Sequence, residues 1–143
     1  MTKKSKNKGK KFKQPSVSEG NQIRSQKHEL DPYLQKPIFS FKYLDRQYSI
    51  AQCTKDEKAA LIDTLDRLSQ LSWRELRQAP RHGLGYEKIS RDDINVSIPK
   101  FITEDVNFIA FRFCGKAPMV GYRDGEILHL IWLDRDFSLY DHE

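Results

Sequence analysis

The 143-residue chain has little of what would settle a fold class at a glance. It holds two cysteines, Cys53 and Cys114, with no CxxC pair and no histidine at metal-ligand spacing beside either. That argues against a cysteine-based zinc module and against a disulfide framework. Both residues sit in apolar, strand-like contexts and read as buried reduced thiols, although spacing alone leaves a single bridge between them open. No run approaches the roughly 18 apolar residues of a membrane span, and the basic start is not followed by the apolar core of a secretory signal. No membrane partner is therefore expected, and the location expected is cytoplasmic. The two glycines of His82-Gly83-Leu84-Gly85 follow no strand pattern, so they do not form a nucleotide-binding fingerprint, and His82 reads as an exposed loop residue. Nothing in the spacing of polar residues calls for a metal or another cofactor.

What is present divides unevenly. Apolar residues make up 38% of the chain and charged residues 31%. Residues 1–31 hold nine Lys or Arg against three acids, a balance of +6, whereas the whole chain is +5. Residues 32–143 are thus close to neutral, and the basic character belongs to the tail. Such a Lys-, Ser- and Asn-rich segment buries too little apolar surface to offset its chain entropy, so disorder is expected over 1–31 and a single domain over 32–143. The run Lys3 to Lys13 could meet RNA, DNA or an acidic partner, or only aid solubility. It carries no arginine and lacks the aromatic interleaving that would point to base stacking.

The domain reads as α+β: an antiparallel sheet of four to six strands packed by one long and one short helix. Ile38–Leu44 and Gln47–Ala51 carry aromatic and β-branched residues at period two around Asp45-Arg46, which predicts a hairpin. Thr54-Lys55-Asp56-Glu57 is a capping box, and Leu61, Ile62, Leu65 and Leu68 follow as one apolar stripe. Ser72-Trp73-Arg74-Glu75 is a second capping box, opening a short helix that should bury Trp73 and Leu76 and end before Pro80. Ile94–Ile98 alternates and is expected to be an edge strand ended by Pro99. The region from Phe108 to His142 reads as three antiparallel strands joined by the looser turn Gly115-Lys116-Ala117-Pro118 and at the hairpin signal Asp124-Gly125.

Several polar residues interrupt this apolar region. Alternation puts Arg112 on one face with Phe108, Ala110 and Cys114. It is either paired with Asp134, Asp136 or Asp141, or presented to a substrate phosphate. Arg123 and Arg135 lie at strand ends among acids, where turn solvation suffices. His129, between Leu128 and Leu130, reads as a hydrogen-bonded core or surface histidine. Tyr140 and His142, two apart on an extended segment, would share a side suited to acid/base work or to no chemistry at all. Arg74, Arg77 and Arg81 would line one exposed edge, either as a solvated face or as a phosphate-contacting one.

The order of these elements, with Phe111-Arg112-Phe113, Met119-Val120-Gly121-Tyr122-Arg123, Trp132-Leu133-Asp134-Arg135-Asp136 and Leu139-Tyr140-Asp141-His142, resembles the RelE/ParE-like toxin superfamily over residues 36–142. The resemblance implies a metal-independent endoribonuclease that directs the ribose 2′-hydroxyl at the adjacent phosphate, acts on RNA or the ribosome, and is covered by an antitoxin protein. Arg112 would correspond to the phosphate-stabilising arginine, and Tyr140 and His142 to the terminal acid/base pair. Arg74, Arg77 and Arg81 would steer RNA. The chain departs from the family pattern in its extra N-terminal hairpin strand, its lysine tail and its near-neutral domain. Those departures favour, as the alternative, a non-catalytic nucleic-acid- or ribosome-associated accessory protein on the same fold.

Overall fold

The computed structural model describes residues 30–141, so nearly all of the basic tail, and His142 with it, lie outside the described residues. The expected α+β class holds. Strand β1 (Ile38–Ser40) leads into helices α1 (Lys55–Leu68) and α2 (Trp73–Gln78), followed by β2 (Glu87–Ile89), β3 (Phe108–Cys114), β4 (Ala117–Asp124) and β5 (Ile127–Leu133). They form one five-stranded sheet in the order β1-β5-β4-β3-β2. It is mixed and not purely antiparallel, because β1 pairs in parallel with β5, Phe39 facing Leu128.

That parallel pairing replaces the hairpin expected over residues 38–51. The chain leaves β1 after Ser40, and two short 3-10 turns follow, Arg46–Tyr48 and Ile50–Gln52. The reason is local. The Asp45 carboxylate accepts from the Gln47 amide at 2.9 Å, and Ser49 and Gln52 complete a third capping box. Side chains that offer the backbone such bonds compete with a strand ladder, and here they win. The first strand is left to pair with the last, which follows it only after both helices and three intervening strands.

Both longer helices begin where their capping boxes lie. The Thr54 amide donates to Glu57 Oε1 at 2.8 Å while the Glu57 amide donates to Thr54 Oγ1, and Ser72 and Glu75 repeat the arrangement. α2 stops at Ala79, which is extended ahead of Pro80. Trp73 and Leu76 are wholly buried. The stripe of α1 differs from expectation by one residue: Ile62 is 60% exposed, and Thr64 faces the sheet in its place. Its hydroxyl donates to the Phe113 carbonyl at 3.1 Å, so the buried polar atom is satisfied.

The helices cover one face of the sheet, over Ile109, Phe111, Phe113, Met119, Leu128 and Leu130. The other face, with Phe108, Ala110, Val120, Ile131 and Trp132, is covered by Ile94, Val96, Ile98, Ile102 and Val106 and by the C-terminal Leu139 and Tyr140. Ile94–Ile98 is therefore not an edge strand. Its alternation of half-buried and exposed residues is real, but it belongs to an extended segment lying flat on the sheet, with the Asn95 amide donating to the Leu139 carbonyl at 2.7 Å. The edge strands are β1 and β2, the latter inside the stretch expected to be a loop.

Two irregularities shape the hairpins. The register of β3 against β4 shifts between Arg112 and Cys114, so Cys114 packs toward the helices and does not share a face with Ala110 as alternation implied. Between β4 and β5 the register shifts at Val120 and Gly121. A β-carbon on Gly121 would lie 2.0 Å from the His129 carbonyl oxygen, and backbone cannot give way there without opening the β4–β5 ladder. The hairpin turn sits one residue later than Asp124-Gly125, over Gly125-Glu126, with φ +63° at Gly125. Positive φ at the first loop residue only is the pattern of a II′ turn. Gly121→Ala is expected to lower stability by about 2–3 kcal/mol through overpacking against fixed backbone, read as the shift in a thermal or urea unfolding midpoint.

Candidate functional site

At the end of the sheet where β2 pairs with β3, the chain encloses a cleft of about 280 Å³. Five elements build it: the segment after α2 supplies Arg81, β2 supplies Glu87 and Lys88, the 3-10 turn Arg91–Asp93 supplies Asp93, the outer half of β3 with its turn supplies Arg112 and Lys116, and the C-terminal turn supplies Tyr140 and Asp141. Four cationic side chains and a phenol thus share one concave surface with the carboxylates of Glu87, Asp93 and Asp141. Arg112 and Tyr140, singled out in the sequence, are brought together here. His142 lies outside the described residues.

Arg112 is half-buried, on the face of Phe108 and Ala110. Within the described residues it makes no ion pair with Asp134, Asp136 or Asp141. The buried Asp134 is otherwise engaged: its carboxylate accepts from the Ser138 amide at 2.9 Å and the Leu139 amide at 3.1 Å. Those charge-assisted bonds shape the turn that delivers Tyr140 into the cleft. Tyr140 therefore sits on a tight turn and not on an extended strand. Phe137, on the cleft rim in the same turn, is the one non-glycine residue of the described chain at positive φ, 60°. A bulky side chain is seldom held there unless its surroundings fix it.

Tyr140 is 7% exposed, and its phenol is pushed up to about 12, chiefly by burial and then by the carboxylates of Glu87 and Asp134. The guanidinium groups of Arg112 and Arg81 act in the opposite sense, which places both cations within electrostatic reach of its oxygen. At neutral pH the phenol therefore keeps its proton and is a hydrogen-bond donor, not a base. Arg81 is held near the cleft by Glu87, 2.9 Å away across a partly exposed ion pair.

The other two arginines of the expected edge diverge. Arg77 lines a second groove on the far side of β2, and Arg74 is exposed and lines neither cavity. Arg123 is more than a solvated turn residue: its guanidinium lies over Trp73 at 4.9 Å and Tyr33 at 5.8 Å, and its Nε donates to the Gly125 carbonyl at 2.7 Å. Arg135 reaches back to the capping glutamate of α1, Nε to Glu57 Oε1 at 2.7 Å, and that contact holds the Glu57 carboxyl below its usual range. His129 packs between the rings of Tyr43 and Tyr122, and its buried Nδ1 has no hydrogen-bond partner among the described residues, in contrast to the hydrogen-bonded histidine expected. Both cysteines are free, Cys53 buried and Cys114 half-buried. Burial pushes the Cys53 thiol up, so it is a packing residue more than a nucleophile.

Sequence reasoning missed Lys88, Lys116, Glu87 and Asp93 as neighbours of Arg112, whereas Asp141 is among the partners that the sequence suggests for it. Only the turn signal Gly115-Lys116-Ala117-Pro118 pointed toward any of them, and its last two residues already belong to β4. A three-residue edge strand is too short to show periodicity, so Glu87 and Lys88 gave no sign of standing beside β3.

No family model matches the chain, and no curated protein or solved structure matches it. Among the described residues no helix is long and apolar enough to cross a membrane, and no cluster of three or more His, Cys, Asp or Glu side chains could hold a metal ion.

The Tyr140 phenol has a definite alkaline signature. A phenol titrates near 10 when solvated and near 12 here, so the folded state holds the proton more tightly. The stabilisation is complete below about pH 10 and is lost as pH rises through about 12, amounting to about 1–2 kcal/mol. Ultraviolet titration of the tyrosinate band should show one phenol ionising after the others, absent in Tyr140→Phe. Loss of stability between those pH values should be shallower in that variant.

Proposed function

We propose that the protein is an RNA-directed, RelE-like endoribonuclease whose cleft holds a phosphodiester. The observation that supports this reading is the convergence of Arg112 and Tyr140, far apart in sequence, on one concave surface with Arg81, Lys88 and Lys116. In the proposed reaction the ribose 2′-oxygen attacks the adjacent phosphorus, the bond from phosphorus to the 5′-oxygen breaks, and the products end in a 2′,3′-cyclic phosphate and a 5′-hydroxyl. The 2′-hydroxyl proton goes to a base and the departing 5′-oxygen takes one from an acid.

Each group has a role suited to its chemistry. The Arg112 guanidinium offers a planar fork to two phosphate oxygens, where charge accumulates in the transition state. Arg81 can exchange its Glu87 partner for phosphate at small cost, since an exposed ion pair contributes only about 0–1 kcal/mol. Tyr140, protonated up to about pH 12, fits the acid that serves the leaving oxygen and not the base. The base is assigned to His142, and a protein antitoxin is the partner that would cover the cleft. RNA, free or on the ribosome, is the substrate class.

A second reading rests on the three carboxylates that share the cleft and on the low exposure of Tyr140. In that reading the domain is a non-catalytic, nucleic-acid- or ribosome-associated binding protein, and the basic tail makes the contact. Purified protein and single-stranded RNA, with product ends analysed for cyclic phosphate, separate the two. On the enzyme reading Arg112→Ala slows cleavage about 100-fold or more, and the near-isosteric Tyr140→Phe does so by a similar factor. Growth arrest on expression should disappear with both. No cleavage by the purified wild-type chain, together with growth arrest that survives both substitutions but vanishes when residues 1–26 are deleted, would overturn the enzyme reading in favour of the second.

A further inference from the structure

The second groove, of about 540 Å³, has no part in the chemistry assigned to the cleft. It lies on the other side of β2, and its lining includes Tyr33, Arg77, Tyr86, Lys88, Asn107 and Tyr122 together with the carboxylates of Asp105 and Asp124. Lys88 lines both cavities, so the edge strand separates them and its one side chain joins them. The rings are held by packing before any ligand arrives. Tyr86 leans on Phe111 with centroids 5.3 Å apart and on Trp73 at 6.3 Å, Tyr122 on His129 at 5.0 Å, and Arg123 caps Tyr33. All three tyrosines are nonetheless only half-buried, leaving part of each open to solvent.

We infer that this groove is a binding subsite for an unpaired nucleobase of single-stranded RNA, with Lys88 carrying the intervening backbone phosphate between it and the cleft. Aromatic faces interleaved with Arg and Lys are the surface that single strands require, because every base has a face to stack and every linkage a negative charge. A cavity of this size lies within the range of small-ligand sites. Asn107 supplies an amide that both donates and accepts at a base edge. Rings fixed in advance lose little freedom on binding, so stacking is gained at low ordering cost. The inference rests on reading the first cleft as a phosphodiester site, since Lys88 can bridge the two only if RNA lies in both.

The experiment uses the full chain and a fluorescent, uncleavable 2′-O-methyl octanucleotide, with affinity read by anisotropy. Tyr33→Leu and Arg77→Ala should each weaken binding by about fivefold or more, Tyr33→Phe should restore wild-type affinity, and a blunt duplex of the same sequence should bind more weakly than the single strand. Thermal melting of each variant reports whether it has folded. If folded Tyr33→Leu and Arg77→Ala bind within about twofold of wild type while Arg112→Ala binds poorly, the groove is not an RNA subsite and the cleft reading stands. If the groove variants weaken binding and Arg112→Ala does not, the groove remains a single-strand site and the cleft reading fails. Duplex binding as tight as single-strand binding overturns the stacking role.

Discussion

The Glu126 carbonyl, in the turn between β4 and β5, accepts two hydrogen bonds that most of the architecture depends on. The Trp73 indole donates to it at 3.0 Å and the Ile38 amide at 3.0 Å. One oxygen thereby ties α2, β1 and the central hairpin to a common point, and the Trp73 amide adds a bond to the Gln35 carbonyl. Trp73 is fully buried against Tyr86 and Phe111, a side chain whose removal from a core costs about 3–5 kcal/mol. Arg123 closes the junction from above through its contact with the indole face.

From that junction the chain has little freedom in where it goes next. α2 is pinned at its first residue, ends after six residues, and releases the chain toward the sheet edge. There the amides of Gly83 and Gly85 both donate to the Pro80 carbonyl, turning the segment back. A β-carbon on Gly85 would stand 2.1 Å from the Ala79 carbonyl oxygen, so the turn depends on the bare glycine backbone. Arg81 and β2 then arrive beside β3, and the cleft and the groove lie on the two sides of this one short strand. The C-terminal turn, shaped by Asp134 and tethered through Arg135 to α1, closes the cleft from the other direction. Both candidate sites therefore lie where irregular backbone meets the sheet edge, and the regular core serves to hold that backbone in place.

On the proposed reading, the two cavities would divide the chemistry of a nucleic-acid strand between them. The cleft offers Arg112, Arg81 and a phenol that stays protonated, groups suited to a phosphate whose charge changes during reaction. The groove offers rings and an amide, suited to a base that does not react. The domain is close to neutral overall, so on that reading the cations at the sheet edge would act locally and the general attraction to polyanions would fall to the lysine-rich tail.

By itself the sequence determined the parts whose cause is local. Capping boxes at Thr54 and Ser72 set both helix starts, Pro80 set the end of α2, and continuous apolar runs marked β3, β4 and β5, because each signal acts within a turn or a strand of its own position. Arg112 and Tyr140 were legible as polar exceptions in apolar surroundings. Only the tertiary structure decided that β1 pairs in parallel with β5, that Ile94–Ile98 covers the sheet instead of joining it, and that Lys88 and Lys116 stand beside Arg112. Alternation records which side of an extended segment is buried but not whether its backbone is paired. Cavities formed by several separate elements leave no trace in the spacing along any one of them.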